Sequence, residues 1–199
     1  MNILITCEGT KTEPNYFQAL IGELALDNVL TCIMGKGTSS CRLIADTIRL
    51  RNAYAQDEEN PLLFDEVWTV FDRDDNRDFN RALYLARENG IRCAWSNESI
   101  ELWFLLHFEF VNTNNGRRWY IHKLNRIIRR LSGNPRFKYR KNSKTIYQLL
   151  QRYGDERKAA RWSRMLESRY AATDVDYAHH DPCTTVYRLV ERLRSLTGG

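Results

Sequence analysis

Short apolar runs alternate with longer amphipathic stretches through the first half of the chain. Ile3-Leu4-Ile5-Thr6-Cys7 reads as a buried strand that stops at Glu8-Gly9. A helix is expected next, capped by Thr12, with Glu13 and Pro14 in its first turn and Tyr16, Phe17, Leu20, Ile21 and Leu24 on its apolar face. Residues 29–34 predict a second strand and residues 41–55 a second helix, joined by Gly35-Lys36-Gly37-Thr38-Ser39-Ser40. That loop lacks the full spacing of a nucleotide-triphosphate cradle, so it reads as a strand-to-helix turn in which Lys36 is the group that could meet a substrate phosphate. The third strand, Val67-Trp68-Thr69-Val70-Phe71, is β-branched and aromatic and breaks abruptly into Asp72-Arg73-Asp74-Asp75. A helix over 77–89, stopped by Gly90, a strand over 91–95 and an acid-led helix from Glu98 to His107 complete the series.

Strands alternating with helices predict an α/β fold with a mostly parallel sheet flanked by helices. Beyond Asn112-Thr113-Asn114-Asn115-Gly116 the strand signal disappears. Helices are expected at about 118–131, 145–153, 156–171 and 184–196, broken at Gly133-Asn134-Pro135 and His180-Asp181-Pro182. The division expected is an α/β unit over residues 1–112 and a basic helical extension over 117–199 packed on it. His179-His180 reads as a solvated turn, and no internal repeat is visible.

Charge changes this picture more than composition does. Residues 1–116 hold 10 basic against 18 acidic residues, a net charge of −8, whereas residues 117–199 hold 20 against 7, a net charge of +13. A polyanionic partner for the second half, nucleic acid before a membrane surface, fits that asymmetry. Mutual attraction of the halves, or a protein partner, fits it too. Five single cysteines without a C-x-x-C pair fit reduced, mostly buried thiols in a cytoplasm. The N-terminus enters a strand without a basic lead and no run is long enough to span a bilayer, so neither a signal peptide nor a membrane anchor is expected.

The acids fall at strand ends, where α/β proteins keep their chemistry. Glu8 follows the first strand, Asp72 and Asp74 the third, and Glu98 and Glu101 the fourth. Strand alternation puts Asp72 and Asp74 on one side. Two carboxylates held that close are most easily tolerated beside a hard divalent cation, Mg2+ or Mn2+. A solvated acidic turn that starts the next helix is the other reading open from these residues alone. Glu8-Gly9-Thr10-Lys11 offers backbone amides and one ammonium group to a phosphate. Glu101 reads either as a ligand or as an acid favoured at a helix N-terminus. His107, amid Leu105, Leu106 and Phe108, reads as a core histidine before a catalytic one.

A single acid followed by D-x-D, each on a sheet's carboxyl edge, is similar to the Toprim domain of topoisomerases, primases and OLD-type nucleases. Along nearly the whole chain the sequence also resembles the RloB family of bacterial defence proteins. The resemblance rests on Cys7 to Phe17 (C-E-G-T-K-T-E-P-N-Y-F), on Val70-Phe71-Asp72-Arg73-Asp74, and on Ser96-Asn97 followed by Glu101 to Phe108. It continues through Tyr139-Arg140-Lys141 and Asp181-Pro182-Cys183-Thr184-Thr185-Val186. Glu98 departs from the family's S-N-P-x-F-E by standing where proline is expected.

The resemblance implies a Toprim-like (Rossmannoid) fold, a metal-dependent nuclease and an operon partner that is an AAA- or ABC-type ATPase. It implies that Asp72 and Asp74 hold magnesium, with Glu8 as general base or further ligand and Glu101 as a second-metal or orienting ligand. Lys141 would neutralise the scissile phosphate or the leaving oxygen, against the ordinary reading of a solvated charge. Lys11, Lys36, Tyr139 and Arg140 are the expected nucleic-acid contacts. The function expected is a cytoplasmic endonuclease on RNA, a transfer RNA included, or on DNA, acting as a toxic antiphage effector. The expected partners are nucleic acid, the ATPase and a further copy of the chain, with no membrane. The rivals are a non-catalytic Toprim-like module that docks an ATPase and grips nucleic acid, and a nucleotidyl transferase or primase-like enzyme.

Overall fold

The computed structural model describes residues 1–34, 39–74 and 76–197. Lys36, with most of the loop around it, and Asp75 lie outside the described residues. The strands are β1 (Ile3–Cys7), β2 (Val29–Ile33), β3 (Glu66–Asp72), β4 (Ile91–Asn97) and β5 (Cys183–Thr184). Among the described residues they form one sheet in the order β2-β1-β3-β4-β5, parallel throughout except for β5, which runs antiparallel to β4. The helices are α1 (Thr12–Glu23), α2 (Ser40–Ala55), α3 (Phe79–Glu88), α4 (Glu101–Leu106), α5 (Arg117–Ser132), α6 (Ile146–Tyr153), α7 (Glu156–Glu167) and α8 (Val186–Arg194).

The continuous apolar runs of β1 and β3 follow from burial on both sides of a parallel sheet. Ile3, Ile5, Cys7, Trp68 and Val70 face one core, shared with Tyr16 and Phe17 of α1, all of α4 after Glu101, and the apolar stripes of α5 to α8. Leu4, Val67 and Phe71 face the other, against α2 and α3. Helices thus cover both faces in a doubly wound, Rossmann-like arrangement. Strand order reverses between β1 and β3, so the crevice at the topological switch point opens beside Glu8 and Asp72.

Several expectations change. The second half does contribute a strand: β5 closes the sheet edge through Ser96 and Asn97, where Ser96 Oγ and Thr184 Oγ1 lie 2.8 Å apart. Thr12 does not cap α1. It is the helix's first residue, and its hydroxyl donates to the Lys141 carbonyl at 2.8 Å. α7 ends at Glu167 rather than near 171. His180 is buried and stacked on Tyr170, with ring centroids 3.9 Å apart, so only His179 sits in solvent.

Candidate active site

Five acids and one arginine converge at the carboxyl edge of the sheet. Asp72 ends β3 on the same face as Trp68 and Val70, which aims it at α1, α4 and α5 rather than at solvent. Glu101 opens α4, a helix buried along its whole length, and is itself 1% exposed. Glu13, in the first turn of α1, is also buried, and its carboxylate lies over Gly9. A Cβ on Gly9 would stand 1.8 Å from Glu13 Oε2, so the glycine makes the room that this acid occupies. Glu8 is half-buried at the end of β1, its N–H donating to Val70 of β3 at 3.0 Å. Asp74 stands in the turn after β3 with φ at +42°.

That turn corrects the expected cause of the Asp72–Asp74 pairing. The strand stops at Asp72, so alternation does not carry Asp74 to the same side. Arg117, the first residue of α5, unites them instead. Its Nη2 donates to Asp72 Oδ2 at 3.1 Å and also pairs with Asp74 Oδ1, while its Nε lies 3.9 Å from Glu101 Oε2. Glu101 Oε1 accepts the Tyr139 hydroxyl at 3.0 Å, and the Tyr139 N–H donates to Asn125 of α5 at 2.6 Å.

The electrostatics record an excess of acid. Burial first, then Glu13 and Glu101, push the Asp72 carboxyl well above the usual range, with Arg117 opposing them. Burial and Glu101 likewise raise Glu13. Glu8 rises to about 7 through burial, Asp74 and Glu13, against hydrogen bonds from Asn76 and the Asp72 backbone. Asp72 and Asp74, helped by Glu101, hold the Arg117 guanidinium's proton more firmly than usual, although burial works the other way.

A basic loop frames this acid centre. Between α5 and α6 the chain is pinned at three points: Tyr139 to Glu101, the Lys141 carbonyl to Thr12, and the Ser143 carbonyl to Asn15 at 3.3 Å. Arg136, Lys138, Arg140, Lys141 and Lys144 all project from it into solvent. Lys141 lies near enough to Glu13 to oppose the rise in its pKa. Lys11 is exposed beside the same turn.

The donor set is hard oxygen throughout and exceeds its one inward-facing cation, which suits magnesium or manganese in kind. The side chains are not closed on a point charge. Among the described residues no three His, Cys, Asp or Glu side chains stand together as an ion's ligands, and a guanidinium lies between Asp72 and Asp74.

A model of the RloB-like protein family matches residues 3–193. The chain belongs to the RloB-like family. No curated protein and no solved structure shows significant similarity to it. In this RloB-like chain the sheet edge brings Glu8, Asp72, Asp74 and Glu101 together, and adds Glu13 and Arg117, which sequence reasoning passed over. Glu98, at the position expected to be proline, accepts the Arg117 N–H at 2.7 Å and so anchors the start of α5. Tyr139 is corrected: it is buried and holds Glu101, so it has no face to offer a base. Arg140 and Lys11 remain exposed. His107 is a core residue, buried with Nδ1 2.9 Å from the Trp103 carbonyl oxygen. Tyr120, Tyr139, Tyr147 and Tyr187 of the second half are core as well.

Proposed function

We propose that this RloB-like protein is a metal-dependent nuclease that hydrolyses phosphodiester bonds in RNA, transfer RNA included, or in DNA, as the toxic effector of an antiphage system held in check by an ATPase. One observation carries the reading: a cluster of five acids at the switch point, three of them buried, is rimmed by an exposed basic loop pinned to Glu101 and, at two further places, to α1. Acids alone would repel a polyanion and basic residues alone would merely bind one. Together they suit a cation-assisted reaction on a phosphate backbone.

Asp72 and Asp74 would hold a magnesium or manganese ion, with Glu8 or Glu13 beside them. When bound, such an ion stabilises the extra charge that develops on a phosphate oxygen. Glu8 stands at the same edge, where its carboxylate would serve as the general base. Glu101 is held by Tyr139 and would orient the cluster. Lys141 and Arg140 approach from the rim, where they would neutralise the strand's phosphates.

The non-catalytic alternative draws on Arg117, which already neutralises Asp72 and Asp74 and so gives both acids a structural role. Expression of wild type, Glu8→Ala and Asp72→Ala in cells supplied with the partner ATPase and challenged with phage separates the two, with total RNA and DNA examined by gel and end-sequencing. Fragments found only with the wild type are expected. Intact nucleic acid in all three, with the ATPase still captured by the Asp72→Ala protein, would replace the nuclease with a docking module.

A further inference from the structure

We infer that Arg117 is a built-in counter-ion that a divalent cation must displace, so that one side chain sets how readily the site takes its metal. The inference rests on the metal-dependent reading above. Asp72 and Asp74 share a single nitrogen, Arg117 Nη2, and that nitrogen fills the position a cation bridging the two carboxylates would need. A magnesium ion demands oxygens at roughly 2.1 Å in near-octahedral array, whereas a planar guanidinium spaces its carboxylates along a fork. Two cations cannot share the position, since their repulsion at this range in a partly buried site is strong.

The fit of the guanidinium is also incomplete. Its Nε is buried without a hydrogen-bond partner, 3.9 Å from Glu101, a distance too long for a hydrogen bond. Its side chain is 25% exposed, so a path to solvent exists. The backbone beneath stays fixed, because the Arg117 N–H is held by Glu98 at 2.7 Å and α5 continues from it. Arg117 is therefore built to stay anchored at its backbone while its side chain exchanges with a cation.

Mn2+ titration of the full chain, followed by electron paramagnetic resonance, tests this with wild type, Arg117→Gln and Arg117→Lys. The Gln variant is expected to bind Mn2+ about tenfold or more tightly than wild type, and Lys, which keeps the charge, to fall between. Melting in a chelator should be lower for Arg117→Gln and be restored by Mg2+ by a larger margin than in wild type. Should the variants fail to fold, the wild type decides alone: its Arg117 Nε–H resonance must shift as Mg2+ saturates the site. Cation binding by wild type with no gain in the Gln variant, or with an unmoved Arg117 resonance, overturns the inference and leaves the metal-dependent reading standing. No cation binding by any of the three proteins overturns both.

Discussion

The buried His107 imidazole makes its own contribution to the acid limb of this protein's stability. Burial pulls the His107 pKa from 6.5 down to about 4, against the Trp103 carbonyl and the nearby Asp155 and Glu156. The unfolded chain then takes up a proton below about 6.5 that the folded chain refuses until about 4. His107's contribution to stability accordingly falls as pH drops through that window and levels off beneath it, while Glu8, raised to about 7, contributes in the opposite sense over much of the same range. The shift corresponds to about 3 kcal/mol. His107→Gln is expected to flatten this limb, measured as urea unfolding at neutral pH and near the lower end of the window. An unchanged slope would place the acid sensitivity elsewhere. Tyr139 offers a second reading at the same scale: Tyr139→Phe removes the donor to a buried carboxylate oxygen and should cost about 1–3 kcal/mol in chemical denaturation. A tyrosine that merely stacked on a bound base would cost nothing there. Among the site residues, Glu8, Asp72 and Glu101 were legible because each breaks or follows an apolar run. Glu13 and Arg117 were not, since each reads as an ordinary residue of a helix's first turn. Gly9 was the one signal for Glu13, a small residue where an acid folds back over the chain. Arg117 had none, for it opens a basic helix beside Arg118 and its acidic partners lie 16 to 45 positions away.

The start of α5 couples helix stability to site charge. Glu98 accepts the backbone N–H of Arg117, and the same residue's guanidinium reaches Asp72 and Asp74. Replacing Glu98 with Ala removes an N-terminal partner of a sixteen-residue helix, a loss of about 1 kcal/mol. Thermal unfolding of Glu98→Ala, Arg117→Gln and the double variant should show losses that do not add, because the first change loosens what the second removes. Strict additivity would mean that the cap and the ion pair act independently. Elements as a class were legible where they are long or wholly apolar: β1, β3, α2 and α5 lie within a residue or two of expectation. β5 was not, since two residues ending in threonine carry no period and are held by pairing with β4 rather than by their own pattern. Asp74 escaped the strand alternation for a related reason: the left-handed turn, not the pleat, sets its direction.

At the scale of the whole molecule, the division of charge was legible and the division of structure only in outline. The basic second half follows the acidic first in sequence, yet its helices and Tyr139 share one core with β1, β3 and α4. Charge is what remains segregated. The exposed residues of the loop between α5 and α6 rim a centre that is acidic inside, and Arg118 and Arg126 add exposed charge along α5. A polyanion held on this surface releases counterions from its phosphates, so its affinity falls linearly with salt on logarithmic axes. Each rim residue that neutralises a phosphate contributes about 0.7 to that slope on a single strand and about 0.9 on a duplex. Arg140→Gln combined with Lys141→Gln should therefore reduce the slope by about 1.4 with single-stranded RNA, followed by fluorescence anisotropy over a salt series. Asp72→Ala lies beneath the rim and should leave the slope where it is while abolishing cleavage. An undiminished slope in the rim variant would move the strand's path off this loop. The site's acids would then face a substrate delivered from another direction.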